Sequence, residues 1–341
     1  MSKKHFSWLL IVTAVVTALV LLVPGKTGRE SSFEKHTLLP GLAAVVNELD
    51  YIRLTAGGGE IIATLQRSDG KWRVTEASSY PADWVRLKAL LSDLSLAEVV
   101  EEKTSNPEFY DRLGVEDVAT AAASGVMIAF SDEAGLPALI VGNQATGREG
   151  QFLRLHGEGR SVLLDRKLDV PRDRMQWLER EIIDISDGEV VEVTSVHPDG
   201  EVLRARKASA DDTDFELHDI PEGSEIKSNW TVNSIGGSLS ALSMDEVLPD
   251  SEVNWAEAVV FTALTADGLQ LRVQLVSREE SKWIRLGATV YQPDEENPGQ
   301  ENQRVNQIND RVSGWAYRIP QPKYDAMTRR MDDMIKVTET P

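Results

Sequence analysis

The chain has 341 residues, no cysteine, and 55 acidic against 36 basic residues, for a formal charge of -19. That balance repels phosphate backbones and anionic bilayer surfaces, so nucleic acid is not an expected partner. The absence of cysteine excludes disulfides, thiolate metal ligands and cysteine lipidation, while the length suffices for two ordinary domains.

Residues 8–24 form an uncharged apolar run preceded by Lys3 and Lys4. Trp8, Leu9, Leu10, Ile11, Val12, Val15, Val16, Leu19, Val20, Leu21, Leu22 and Val23 supply its apolar surface. A spanning helix takes about 17–25 residues, whereas the core of a cleaved signal peptide takes about 7–15 and ends at a small-x-small site. Leu21 to Gly25 offers no such site. Residues 1–24 are therefore expected to be a retained signal anchor that crosses the membrane once. Lys26, Arg29 and Lys35 offset Lys3 and Lys4, which weakens the charge signal for orientation. A short basic tail before the run favours an inward amino terminus and an outward bulk. Residues 25–45, punctuated by Gly25, Pro40 and Gly41, are expected to be a tether.

From Asp50 the pattern is that of strands. Tyr51–Leu54, Glu60–Arg67 and Lys71–Thr75, separated by glycine-containing turns, predict a meander. Tyr80-Pro81-Ala82-Asp83 is expected to open a helix, with proline in the first turn and Asp83 complementing the helix dipole. Trp84, Leu87, Leu90, Leu91 and Leu94 recur at helical spacing and predict one buried face. A short helix over Pro107–Leu113 is expected to stop at Gly114. Four short strands follow, at Val126–Phe130, Ala138–Val141, Gln151–Leu155 and Ser161–Leu164. Asp169–Arg180 closes this first unit.

Ile182–Ile185, Val190–Val196, Val202–Lys207 and Phe215–His218 predict further strands. A helix is expected over Asn229–Asp245, with Val232, Ile235, Leu239 and Leu242 inward. Strands at Ala258–Leu264, Leu269–Val276 and Trp283–Leu286 precede an acidic loop at Pro293–Glu301. Helix Asn302–Val312, strand Trp315–Ile319 and helix Gln321–Lys336 complete the chain. The fold class that follows is α+β: an N-terminal transmembrane helix, then two loosely repeated units of antiparallel sheet with packed helices, at 46–185 and 186–337.

Several of these segments carry a family likeness. Gly70-Lys71-Trp72-Arg73-Val74, Tyr80-Pro81-Ala82-Asp83, Phe109 to Val115 around Gly114, Leu139 to Gly142, Phe152-Leu153-Arg154 and Trp177-Leu178-Glu179-Arg180 occur together. In this combination the chain resembles the bacterial "domain of unknown function 4340" family over most of residues 46–250. The resemblance implies a membrane-anchored, extracytoplasmic protein at the bacterial inner membrane, with its bulk in the periplasm. It also implies a partner such as the permease of an ABC-type transport system of the gliding-motility kind. It brings no catalytic residue with it. Trp72, Tyr80, Pro81, Asp83, Gly114, Gly142, Arg154 and Trp177 read as structural motif positions.

Candidate chemistry is sparse. Gly142-Asn143-Gln144-Ala145-Thr146-Gly147 has the glycine spacing of a phosphate loop, but Arg148-Glu149 replaces the required Lys-Ser/Thr, so a hairpin loop is the better reading. The five histidines form no i, i+4 pair, and His156 and His197 read as exposed turn residues. Asp211–Asp214 and Asp294–Glu296 lack the alternation and glycine of a calcium loop and read as solvated acidic loops. Gly236-Gly237-Ser238-Leu239 is not a nucleophile elbow, and Ser238 is expected at a surface or an interface. Trp72, Trp84, Trp177, Trp230, Trp283 and Trp315 are expected mostly in cores, a subset being free to line a groove between the units. No cofactor and no metal is expected. The function expected is that of a non-enzymatic, membrane-anchored periplasmic accessory or scaffold protein, docking on an ABC-type transporter or another envelope protein. The alternative is an envelope ligand-binding module holding a glycan or peptide between the units. An envelope hydrolase is a third possibility, without a nucleophile or metal constellation to support it.

Overall fold

The computed structural model describes residues 33–291 and 299–337. The apolar run 8–24 lies outside the described residues, and no helix among those described is long and apolar enough to cross a membrane.

The first sheet contains β1 (His36–Thr37), β2 (Tyr51–Thr55), β3 (Ile61–Ser68), β4 (Lys71–Val74), β5 (Tyr80–Pro81), β6 (Glu98–Glu102), β7 (Val126–Phe130), β8 (Leu139–Gln144), β9 (Gln151–Leu155) and β10 (Ser161–Leu164). Its order is β5-β4-β3-β2-β7-β8-β9-β10-β6-β1, and every pairing is antiparallel. Short helices α1 (Leu42–Val45) and α3 (Tyr110–Leu113) and the longer α2 (Trp84–Leu96) belong to it.

The second half adds β11 (Glu181–Ile183), β12 (Val190–Val196), β13 (Val202–Arg206), β14 (Glu216–Leu217), β15 (Ser224–Ile226), β16 (Leu242–Ser243), β17 (Glu246–Pro249), β18 (Val259–Thr265), β19 (Leu269–Arg278), β20 (Ser281–Val290), β21 (Trp315–Arg318) and β22 (Ile335–Val337). Its helices are α4 (Asn229–Gly236), α5 (Gly299–Val312), α6 (Gln321–Met327) and α7 (Met331–Met334). The main sheet runs β14-β13-β12-β18-β19-β20-β21-β17, again all antiparallel.

The two sheets share a topology. In each, the first strand of an opening meander (β2, β12) pairs with the first strand of a later four-strand meander (β7, β18). In each, a strand that follows a helix (β6, β17) returns to pair with the last strand of that meander (β10, β21). The strands bury one face, as their period-two pattern requires: Val259, Phe261, Ala263 and Thr265 point inward along β18, and Leu269, Leu271, Val273 and Leu275 along β19. One cluster of buried side chains runs from Leu38 through both sheets to Ile335.

Four expectations are corrected by the packing. The tether read over 25–45 gives way at His36. β1 pairs with β6, Leu38 N donates to Ala97 O at 2.8 Å, and Leu39 and Leu42 are buried. Helix α2 begins after Asp83, whose carboxylate accepts from Arg86 N at 2.9 Å. Pro81 lies upstream in an extended strand, held there by Ala82 N donating to Trp72 O and Asp83 N to Trp177 O.

The helix expected over 229–245 stops at Gly236-Gly237, the weakest helix formers available. A Cβ at Gly236 would stand 2.3 Å from the Phe215 ring, so only glycine lets the helix end seat there. Val232, Ile235, Leu239 and Leu242 are nonetheless all buried, the last by pairing with β11. The helix expected over 321–336 breaks after Met327. Glu201 accepts from Met331 N at 2.8 Å and pairs with Arg330, and β22 joins β15.

Polar residues follow this rearrangement. His197 is buried, not exposed, with Nε2 3.2 Å from Arg329 O, and Ser238 is buried as well.

The motif residues Gly114, Gly142 and Arg154 meet on the other face of the first sheet, around a small cluster of Tyr110, Val115 and Ile140. Gly114 ends α3 with φ +69. Arg154, buried, donates to Val115 O and Glu158 O at 2.8 Å, and its guanidinium lies 4.8 Å over the Tyr110 ring. Gly142 packs so tightly that a Cβ would stand 2.3 Å from Leu113 O. Gly142→Ala is expected to lower stability by about 1–3 kcal/mol, as overpacking against backbone does. A lowered urea midpoint with an unchanged slope checks it; an unchanged midpoint contradicts the close approach.

Candidate functional site

A cleft of about 1160 Å³ opens where the two sheets meet. On the first side it is lined by Trp72 on β4, by Tyr80 and Pro81 on β5, and by one face of α2. Trp84, Lys88 and Ser92 follow at i, i+4 spacing and so form a continuous ridge. On the other side stand Glu179, Arg311 and Asp310 of α5, and Trp315 of β21.

Trp84 is half exposed, at 50%, although its spacing placed it with the leucines. At about 100° per residue it sits about 70° from the centre of the stripe made by Leu87, Leu90, Leu91 and Leu94, and these four fill the inward face. Its indole is left to the cleft. Trp315 is partly buried and meets Tyr80 edge-on, with ring centroids 4.9 Å apart at 83°. A second hollow of about 580 Å³ adjoins the cleft and shares Trp84 and Glu179 with it.

The charge of the cleft runs against that of the chain. Arg67, Lys71, Arg73, Lys88 and Arg311 line it, against the carboxylates Glu179 and Asp310. Arg311 is held between Glu179 at 3.4 Å and Glu181 at 3.3 Å. Arg67 and Arg73 each donate to a backbone carbonyl, of Asn47 and Ser79. Lys71 and Lys88 are exposed.

Below the cleft floor lie two buried phenols, Tyr80 and Tyr317, with ring centroids 6.2 Å apart. Burial pushes Tyr80 up to about 12, and burial with the neighbouring phenol pushes Tyr317 further up. Tyr317 Oη has the Tyr80 phenol as its polar neighbour but no well-aligned hydrogen-bond partner among the described residues.

Of the eight motif positions read from the sequence, five gather at this seam: Trp72, Tyr80, Pro81, Asp83 and Trp177. Trp177 is fully buried, and its Nε1 donates to Pro171 O at 3.0 Å. Gly114, Gly142 and Arg154 form the separate packing cluster described above. Trp230 is exposed but does not line the cleft. In the sequence Lys71 reads as part of a family motif and Lys88 as an outward helix position, and neither they nor Arg311 read as lining a cleft with Trp84 and Trp315. The i, i+4 relation of Trp84 and Lys88 was the one available signal. Among the described residues, no group of three or more His, Asp or Glu side chains could hold a metal ion.

A model of the family described as Domain of unknown function (DUF4340) matches residues 72–258, more than half of the chain. The chain belongs to that family. The DUF4340 match starts at Trp72 on β4 and ends just before β18, so it spans the seam and the part of the first wall that follows Lys71. No curated protein and no solved structure matches the chain.

The arrangement offers aromatic faces, cationic side chains and hydrogen-bonding groups to a bound molecule. The phenols beneath it predict two behaviours. A raised tyrosine pKa means the folded state holds its proton more tightly, so this contribution to stability is intact below pH ~10 and is lost as pH rises toward 12. Tyrosinate absorbance is expected to report Tyr80 and Tyr317 only as the protein unfolds in alkali. Tyr317→Phe removes a buried hydroxyl without a well-aligned partner and is expected to stabilise by up to ~1 kcal/mol, read from the urea midpoint. A loss of stability would reveal a partner for that hydroxyl.

Proposed function

We propose that this DUF4340 protein is a non-enzymatic binding module of the cell envelope, tethered by its N-terminal apolar run, that holds an extended ligand in the cleft between its two sheets. The observation that carries the reading is Trp84. A half-exposed indole on a rigid helix, facing a second aromatic across a cleft of about 1160 Å³, is a surface that binding can desolvate. Rigid aromatics contribute contact area at small entropic cost. The tether would confine the module to the membrane surface and raise its effective concentration near membrane partners.

A second reading has the protein dock on an ABC-type permease or another inner-membrane protein. It draws on the exposed apolar side chains Trp84, Val85 and Leu96 of α2. Gentle crosslinking in the native membrane separates the two. A stoichiometric permease crosslinked through α2 would favour docking.

For the first reading, full-length protein in detergent is titrated with isolated envelope glycans and peptides while tryptophan fluorescence is followed. A saturable shift is expected with at least one of them. Trp84→Ala is expected to abolish the shift while leaving the unfolding midpoint within about 0.5 kcal/mol, as for an exposed site. A shift unaffected by Trp84→Ala, or no shift at all, overturns the cleft reading.

A further inference from the structure

We infer that the ligand of the cleft is an acidic glycan, a linear saccharide carrying carboxylates; this rests on the cleft reading above and names its substrate class. Three observations lead there.

The first is charge. In a chain of formal charge -19, the cleft is lined by five cationic side chains and two carboxylates. One of the five, Arg311, is already neutralised by Glu179 and Glu181. Arg67, Lys71, Arg73 and Lys88 remain along the first wall, and they stand on β3, β4 and α2, one side of the cleft. A local excess of one sign inside a body of the other focuses field toward the cleft and selects an anion. The adjoining hollow leans the other way, with Asp83, Asp173, Glu179 and Glu181 against Arg86 and Arg180 in its lining. A polyanion therefore favours the larger cleft, and Trp84 stands on the boundary between the two.

The second is the aromatic pair. Trp84 leaves its indole half exposed, and Trp315 lines the same cleft from the second half. The negative face of an indole attracts the C–H edge of a partner, which is what the apolar face of a pyranose ring supplies.

The third concerns backbone. An acidic peptide that bound by strand addition would need a free sheet edge. The edge beside the cleft is β5, and it is closed. Pro81 has no N–H, its carbonyl already accepts from Glu179 N at 3.1 Å, and Ala82 is bridged to Leu178. The surface that remains consists of side chains, and it suits stacked rings with pendant carboxylates better than an extended peptide.

The test uses full-length protein in detergent and four probes: a short oligogalacturonate, the uncharged galactan of the same linkage, oligoglutamate, and the bulk envelope glycan fraction. Binding is read by calorimetry at low and at physiological salt. Oligogalacturonate is expected to bind at least tenfold more tightly than galactan and to weaken as salt rises. Trp84→Ala and the double variant Lys71→Gln with Lys88→Gln should each weaken it roughly tenfold, the second also flattening the salt dependence. These residues are exposed, so their unfolding midpoints should not move. Galactan binding as tightly as its acidic counterpart, through Trp84, overturns the acidic class and leaves the cleft reading standing. Oligoglutamate binding as tightly as oligogalacturonate and independently of Trp84 overturns the glycan in favour of an acidic peptide. Failure of every probe to bind in a Trp84-dependent way overturns the inference together with the cleft reading.

Discussion

The arrangement depends on residues 177–183, which hydrogen-bond to both halves of the chain in turn. Trp177 O accepts from Asp83 N, Leu178 bridges Ala82, and Glu179 N donates to Pro81 O. One residue later Met244 N donates to Arg180 O, and Glu181–Ile183 pair with Leu242 and Ser243. The same seven residues therefore close the edge of the first sheet and begin the second half. Arg311 reinforces the seam from α5 by binding Glu179 and Glu181 together. Backbone pairing of this kind sets position to within a fraction of an ångström, because every buried N–H and C=O must find a partner.

The duplicated topology explains why a cleft forms at this seam. Each half sends its opening meander and its later meander through one sheet, and each returns a strand after the helix that follows the opening meander to pair with the last strand of the later one. The first half has a full helix there, α2. In the second half the corresponding helix is cut short at Gly236-Gly237. The cleft lies against α2 on one side and against α5 and β21 on the other, so it is walled by non-equivalent elements of the two repeats. That asymmetry is what places a tryptophan and a lysine of one half opposite a tryptophan of the other.

The motif residues divide by physical task. Trp72, Tyr80, Pro81, Asp83 and Trp177 keep the seam in register, whereas Gly114, Gly142 and Arg154 tie α3 to the outer face of the first sheet. Neither group needs a bound molecule to account for it. The residues that could meet one, Trp84 and the nearby lysines, are exposed, and exposure leaves no imprint on hydrophobic periodicity.

Local pattern carried much of the secondary structure. Period-two alternation marked nearly every strand of the two main sheets, and Asp83 and Gly114 marked a helix start and a helix end, because caps and turns are decided by the few residues that form them. The spacing of Val232, Ile235, Leu239 and Leu242 identified buried positions correctly and their conformation only in part. Burial is a property of side-chain chemistry, whereas the choice between continuing a helix and pairing with a strand rests on partners distant in the chain. The break at Gly236, the strand at 335–337 that joins β15, and the burial of His197 beneath Arg329 all depend on such partners. The acidic composition was legible at once, but the basic cleft within it was not. Its cations come from β3, β4, α2 and α5, separated by up to about 240 residues, and only the folding of the two sheets against each other brings them to one cleft.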